Sequence, residues 1–203
     1  MTISTEVTRS NEVADRIEQL VVAKGQAPTG DRNTLLMAYW SLAFEFHRAI
    51  LCLIHHKFYG AAFALVRPTI ETTVRAHIAV MGSDDDVKKL RSDEYRTNLA
   101  TVGKEIDAAF RLEGLFENFL NGARKALHSY THAGMSQLGR RFKGNDLIPD
   151  YKEGEVTQVI HVSTSAVFMV NNLVTKHFRF EEEWKSNTEL YATWGAQTWG
   201  PQK

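Results

Sequence analysis

The chain is poor in the residues that interrupt or staple a fold: it holds one cysteine and four prolines among 203 residues. A lone thiol excludes an internal disulfide. Cys52 lies in the apolar run Ala49 to Ile54, which predicts a buried, inert sulfur in a reducing compartment. So few prolines leave room for long unbroken helices. Net charge is also lacking, at zero, so no global field attracts polyanions and any nucleic-acid surface must be local. The start, MTISTEVTRSNE, lacks the basic-then-apolar order of a secretion signal. The longest stretch without Asp, Glu, Lys or Arg, Val156 to Thr175, is filled with Thr, Ser, Gln, His and Asn. Neither secretion nor membrane insertion is expected, and the predicted location is the cytosol.

What is present is helical periodicity nearly throughout, with no strict alternation joined to Asn-Gly or Asp-Gly turns. The predicted fold class is all-α, a helical bundle with long antiparallel helices, as a single domain over 1–203 with 1–10 as a flexible N-terminus. A first helix is expected from Asn11 to Lys24, capped by Ser10 and stopped by Gly25. A second, Asn33 to Lys57, is apolar almost all round. The turn Phe58, Tyr59, Gly60 leads to a third, Ala61 to Met81, antiparallel to the second and kinked near Val66 to Pro68. Gly82 and Ser83 end it, and Ser83 or Asp84 caps a polar fourth helix. A weaker amphipathic stretch, VGKEIDAAFRL, precedes a helix from Leu115 to Phe142, and a last long helix spans Glu155 to His177. The segment 179–203 carries Trp184, Tyr191, Trp194 and Trp199, enough aromatic surface to dock on its own domain or on a dimer partner.

Charge is unevenly placed. No acidic residue occurs between Glu117 and Asp146, whereas Arg124, Lys125, Arg140, Arg141 and Lys143 all fall there with two histidines. On the Leu115 to Phe142 helix, Phe116, Leu120, Ala123, Leu127, Tyr130, Gly134 and Leu138 form a core stripe. Arg124, His128 and His132 recur at i, i+4 and i+8 beside it. Gly134 is expected at a close approach of another helix. The third helix has the same construction, with a core stripe Phe63, Val66, Ile70, Val74, His77 and Met81 flanked by Arg67, Glu71 and Arg75. If the two polar stripes meet, Glu71 could fix an imidazole of His128 or His132 and leave arginines, with Arg140 and Arg141, to hold an anion.

Three readings of His128 and His132 stand side by side. As metal ligands they have suitable spacing but no third donor, for no helix offers Glu-x-x-His or His-Glu-x-x-His, so no metal and no cofactor is expected. As acid and base they could cleave RNA without metal, with Arg124 or Arg67 stabilising the phosphorane charge. As plain boundary residues they would accompany ordinary exposed ion pairs along the third helix, each worth tenths of a kcal/mol.

The segments YGAAFALVRPTIETTVRAH and RKALHSYTHAGMSQLGRRF resemble bacterial helical proteins with an Arg-x-x-x-Glu helix followed by a Ser-Tyr-x-His segment, of the HEPN-like and abortive-infection (AbiV-type) group. The resemblance spans about residues 35 to 178. It implies a dimerising helical bundle that cleaves RNA through an Arg-x(4 to 6)-His motif. The chain departs from that motif: Arg124 precedes His128 by three intervening residues and His132 by seven. Arg48 and His55 have six, but Ala49 stands where a polar residue is usual. The function expected on this footing is an HEPN-like endoribonuclease or RNA-binding protein of phage-defence or toxin type, a homodimer with a cognate antitoxin as partner. The alternative is a non-enzymatic dimeric scaffold whose polar stripes set helix register.

Overall fold

A computed structural model describes residues 2–25, 29–96, 99–110 and 113–199; at 99, 100, 102, 109, 110, 115, 119 and 124 it describes the backbone only. The described chain is helical: α1 (Ile3–Val22), α2 (Asp31–His55), α3 (Tyr59–Met81), α4 (Asp84–Arg91), α5 (Leu99–Phe110), α6 (Leu115–Thr131), α7 (Met135–Leu138) running into a 3₁₀ turn (Gly139–Arg141), α8 (Glu153–His177) and α9 (Glu181–Trp199). An isolated β-bridge, Lys143 to Asp146, is the sole strand-like pairing among the described residues.

The α2–α3 hairpin packs on α8, α1 and α9 pack on α8 and on each other, and α5 and α6 lie against α3. Two adjoining apolar clusters result. One gathers Ile50, Ile54, Ile70, Val74, Ile106, Leu120 and Ile160; the other gathers Ile17, Leu36, Phe44, Val167, Phe168 and Trp194. By length and composition α2 is apolar enough to cross a membrane; here it packs among α1, α3 and α8.

Several sequence expectations are corrected. The first helix starts at Ile3, with the Thr2 hydroxyl accepting the Thr5 N–H at 3.3 Å, so residues 3–10 are helical instead of flexible and Ser10 is no cap. Its buried stripe is Glu6, Ser10, Val13, Ala14, Ile17 and Val21. The two polar members at its start hide the period from an apolar-residue count. Cys52 is exposed, on the outer side of α2. Met81 is exposed as well, although Phe63, Val66, Ile70, Val74 and His77 of the same stripe are buried. As the sequence leads one to expect, the third helix runs through Pro68, whose missing N–H leaves the Ala64 carbonyl without its usual donor. Nearby, Thr69 and Thr73 hydroxyls donate to the carbonyls of Leu65 and Thr69, at 2.8 and 3.1 Å.

Helix ends share one device. In α2, α4, α6 and α8 the residue after the cap takes a left-handed conformation, at Lys57, Asp93, Ala133 and Arg179, and the next N–H reaches back to the carbonyl of the last turn. Phe58 N–H to Leu53 O is 2.7 Å, Glu94 to Lys89 2.9 Å, Gly134 to Ser129 2.6 Å and Phe180 to Thr175 2.8 Å. These are Schellman closures built without glycine at the strained position.

Polar groups inside the bundle are tied together. Trp40 Nε1 donates to Asn171 Oδ1 at 2.9 Å, Asn171 Nδ2 to Asn187 Oδ1 at 3.2 Å, and Asn187 Nδ2 to the Phe168 carbonyl at 3.3 Å, which joins α2, α8 and α9. The aromatic tail is thus a helix seated on its own chain, with Trp194 buried against Phe168 and under Arg9. Asn171→Ala strands the Trp40 N–H and the Asn187 amide oxygen together, and is expected to lower stability by about 2–4 kcal/mol in urea unfolding; a loss under 1 kcal/mol contradicts that role.

His47 is fully buried, with Nδ1 3.0 Å from Ser163 Oγ and Nε2 without a hydrogen bond of normal geometry among the described residues. Desolvation lowers its pKa from 6.5 to about 4. Between those values the unfolded chain binds the proton and the folded one does not, so stability present above pH 6.5 is lost as pH falls through 4. The loss is on the order of 3 kcal/mol. Urea unfolding at a series of pH values should show this acid-side slope, and His47→Gln should remove most of it. Some slope remains, because burial also lowers the His77 pKa.

Candidate functional site

The two polar stripes meet. α3 and α6 pack side by side, and Arg67 Nη1 lies 2.9 Å from His128 Nδ1. A guanidinium has donors only, so in this contact Nδ1 is the acceptor. Arg67 is held from its other edge by Glu71, Nε to Oε1 2.8 Å. His132 follows one turn along, its ring centroid 4.5 Å from that of His128. The order along the surface is Glu71, Arg67, His128, His132. Both histidines are exposed, and Arg67 and Glu71 are about 30 % exposed, at 29% and 32%. Arg124 sits on α6 one turn before His128; its side chain lies outside what is described.

The start of α6 is fixed by α5. The buried Asp107 carboxylate accepts the N–H groups of Phe116 at 2.9 Å and Glu117 at 2.8 Å, as a cap supplied from another helix. The end of α6 corrects the sequence reading. In place of one helix to Phe142, α6 stops at Thr131, Ala133 turns left-handed, and α7 starts anew at Met135. Gly134 is small for a local reason: a Cβ there would fall 2.5 Å from Ser129 Oγ, not against a passing helix. Ser129 Oγ in turn accepts the Ser136 N–H at 2.9 Å, capping α7. Beyond the break the predicted core stripe fails, with Leu138 exposed.

The other expected residues part company. Arg75 reaches Asp93 at 3.5 Å, away from the histidines. Arg140 is clamped by both carboxylate oxygens of Glu155, lies over the Tyr151 ring at 5.7 Å, and holds the Glu155 carboxyl below the usual carboxylate range. Its charge is already matched. Arg141 is exposed and forms no ion pair among the described residues; its Nη2 lies 2.9 Å from where a Cβ of Gly60 would be. Arg48 is bound to Asp15 and Glu18 of α1, while His55 packs edge-on against His56, so that pair builds no site. Sequence reasoning missed Gln137, which donates to the Gly60 carbonyl at 3.1 Å, and Glu155, because contacts across a loop leave no periodic signal.

The cluster lies at the surface, with both imidazoles exposed. A cleft of about 480 Å³ at the start of α2, lined by Asp31, Arg32, Asp84 and Lys88, shares no residue with it and carries the Arg32–Asp84 and Arg91–Asp31 pairs. Among the described residues no group of three or more His, Cys, Asp or Glu side chains gathers as a metal would require. Chemically, the face offers two imidazoles and a guanidinium to an anion. Because His132 is the cap residue of α6, its position depends on the break. Ala133→Gly removes the left-handed strain and should raise stability by about 0.5–1 kcal/mol in thermal or urea unfolding; destabilisation would contradict the closure described.

No curated protein and no solved structure matches the chain. The model of a family of unknown function, DUF6988, matches residues 40–192, a span that includes α3, α6 and every residue of the cluster. With more than half of its length matched, the chain belongs to the DUF6988 family.

Proposed function

We propose that the α3–α6 face binds RNA and cleaves it without a metal ion, and that the Arg67–His128 contact is the observation carrying this reading. Two helices far apart in sequence bring a cation and two imidazoles together, and imidazole is the side chain whose charge changes near neutral pH. An incoming phosphate competes with His128 for Arg67. Once Arg67 turns to the phosphate, the Nδ1 lone pair of His128 is free to take the 2′-hydroxyl proton. The 2′-oxygen then forms its bond to phosphorus, the bond to the 5′-oxygen breaks, and protonated His132 supplies the proton that leaves with that oxygen. A 2′,3′-cyclic phosphate and a 5′-hydroxyl result. Glu71 orients Arg67 and touches no reacting atom.

The HEPN-like character, a role in phage defence or as a toxin, a homodimeric state in the cytosol and a cognate antitoxin belong to the same proposal and rest on the motif resemblance. A scaffold role is the second reading. It is favoured by the exposed Met135, Leu138, Phe142, Leu147 and Ile148, an apolar surface of the kind that partners cover.

The test is a labelled RNA incubated with purified protein and EDTA. Cleavage to cyclic-phosphate ends is expected, with a bell-shaped pH profile. His128→Ala and His132→Ala should each slow it roughly 10²–10⁴-fold while helical content and melting temperature hold. Absence of cleavage in the wild type, or undiminished cleavage in His128→Ala, rejects the catalytic reading.

A further inference from the structure

Beyond the α6 break the chain forms a projecting arm. Lys143 and Asp146 exchange both backbone hydrogen bonds across Gly144 and Asn145, a two-residue hairpin turn with Gly144 at φ 63. Every residue from 141 to 150 is exposed. The arm's base is held hard: Arg140 is clamped by Glu155, the Asp150 N–H donates to the Arg140 carbonyl at 2.8 Å, and Gln137 anchors to Gly60. A rigidly based segment therefore presents Phe142, half-exposed at 50%, between Arg141 and Lys143. Neither of those cations has an ion-pair partner among the described residues; Asp146, at the far side of the turn, is the one carboxylate within the hairpin.

The arm and the cluster share one side of α3. Arg141 lies against Gly60, and Arg67 is seven residues further on, two helical turns or about 10 Å along the same line. Exposed Lys125, His128 and His132 continue that surface along α6, in the sequence interval between Glu117 and Asp146 that holds no carboxylate. An exposed aromatic ring whose two chain neighbours are cations without an ion-pair partner among the described residues, on an arm that rests on the side of α3 carrying a guanidinium and imidazoles, suits a ligand that alternates phosphates with bare base faces. Single-stranded RNA has those faces free, and a duplex hides them within its stack.

We infer that the arm is a single-strand selector: Phe142 stacks on a base while Arg141 and Lys143 hold flanking phosphates, which directs unpaired RNA along α3 to Arg67 and His128. This deepens the proposed function and rests on it for the identity of the ligand.

The experiment measures fluorescence anisotropy of a labelled 2′-O-methyl RNA 12-mer, which cannot be cleaved by 2′-oxygen attack, as a single strand and as a blunt duplex, with the full chain. The single strand should bind at least 10-fold tighter than the duplex. Phe142→Ala should weaken single-strand binding roughly 5- to 150-fold with duplex binding and helical content unchanged, and Phe142→Trp should retain it. Equal affinity for strand and duplex, or an unaffected Phe142→Ala, overturns the selector. So does conversion of a dimer to a monomer by Phe142→Ala in sedimentation, which makes the arm a self-association surface. Phe142-dependent strand binding in a protein that never cuts unmodified RNA upholds the arm and rejects only the catalytic reading of the histidines.

Discussion

The constraint on which the bundle depends is that α8 is surrounded by α1, α2, α3 and α9 while carrying hydroxyls and an amide on its buried faces. A polar group taken out of water costs more than its hydrogen bond returns unless a partner stands ready. Thr164 and Thr175 satisfy themselves on carbonyls of their own helix. Ser163 and Asn171 cannot do so fully, and each reaches across to α2, to His47 and Trp40. The relative register of α2 and α8 is thereby set by directional bonds as well as by fit. A shift of one helix against the other by a single turn keeps apolar surface covered but leaves those groups stranded.

Long helices with a steady apolar period were legible in the sequence, and α2, α3 and α8 lie where Leu, Ile, Val and Phe recur at three and four. The ends of α2, α3 and α8 fall within two residues of where the sequence puts them, at Lys57, Met81 and His177. Less legible was the end of α6, closed by Ala133 in the left-handed region, a place glycine usually fills and a residue with a Cβ enters at a cost. The long helix drawn through Tyr130 to Phe142 failed for that reason. Polar residues in buried stripes, Glu6 and Ser10 in α1, concealed about two further turns of helix. Cys52 misled because an apolar run on a helix must still turn some positions outward.

The meeting of Arg67 with His128 was anticipated only as a condition, since spacing tells which residues share a helix face but not which faces adjoin. Glu71 was expected beside an imidazole and instead steadies the arginine that reaches it. Arg140 shows the opposite failure. Its place in a basic interval suggested a free charge, and a carboxylate fifteen residues on claims it. Charge counts along a chain carry no knowledge of such long-range pairing, which is why Arg141 and Arg140, adjacent in sequence, have unlike fates.

Asp107 gives α6 a fixed origin. Its carboxylate grips the Phe116 and Glu117 amides from a neighbouring helix, and His128 stands eleven residues beyond, about 16 Å up a stiff rod. A tilt of α5 by a few degrees would thus be magnified at the imidazole as by a lever. The distance between the histidine and Arg67 is in that sense gauged by a side chain that touches neither.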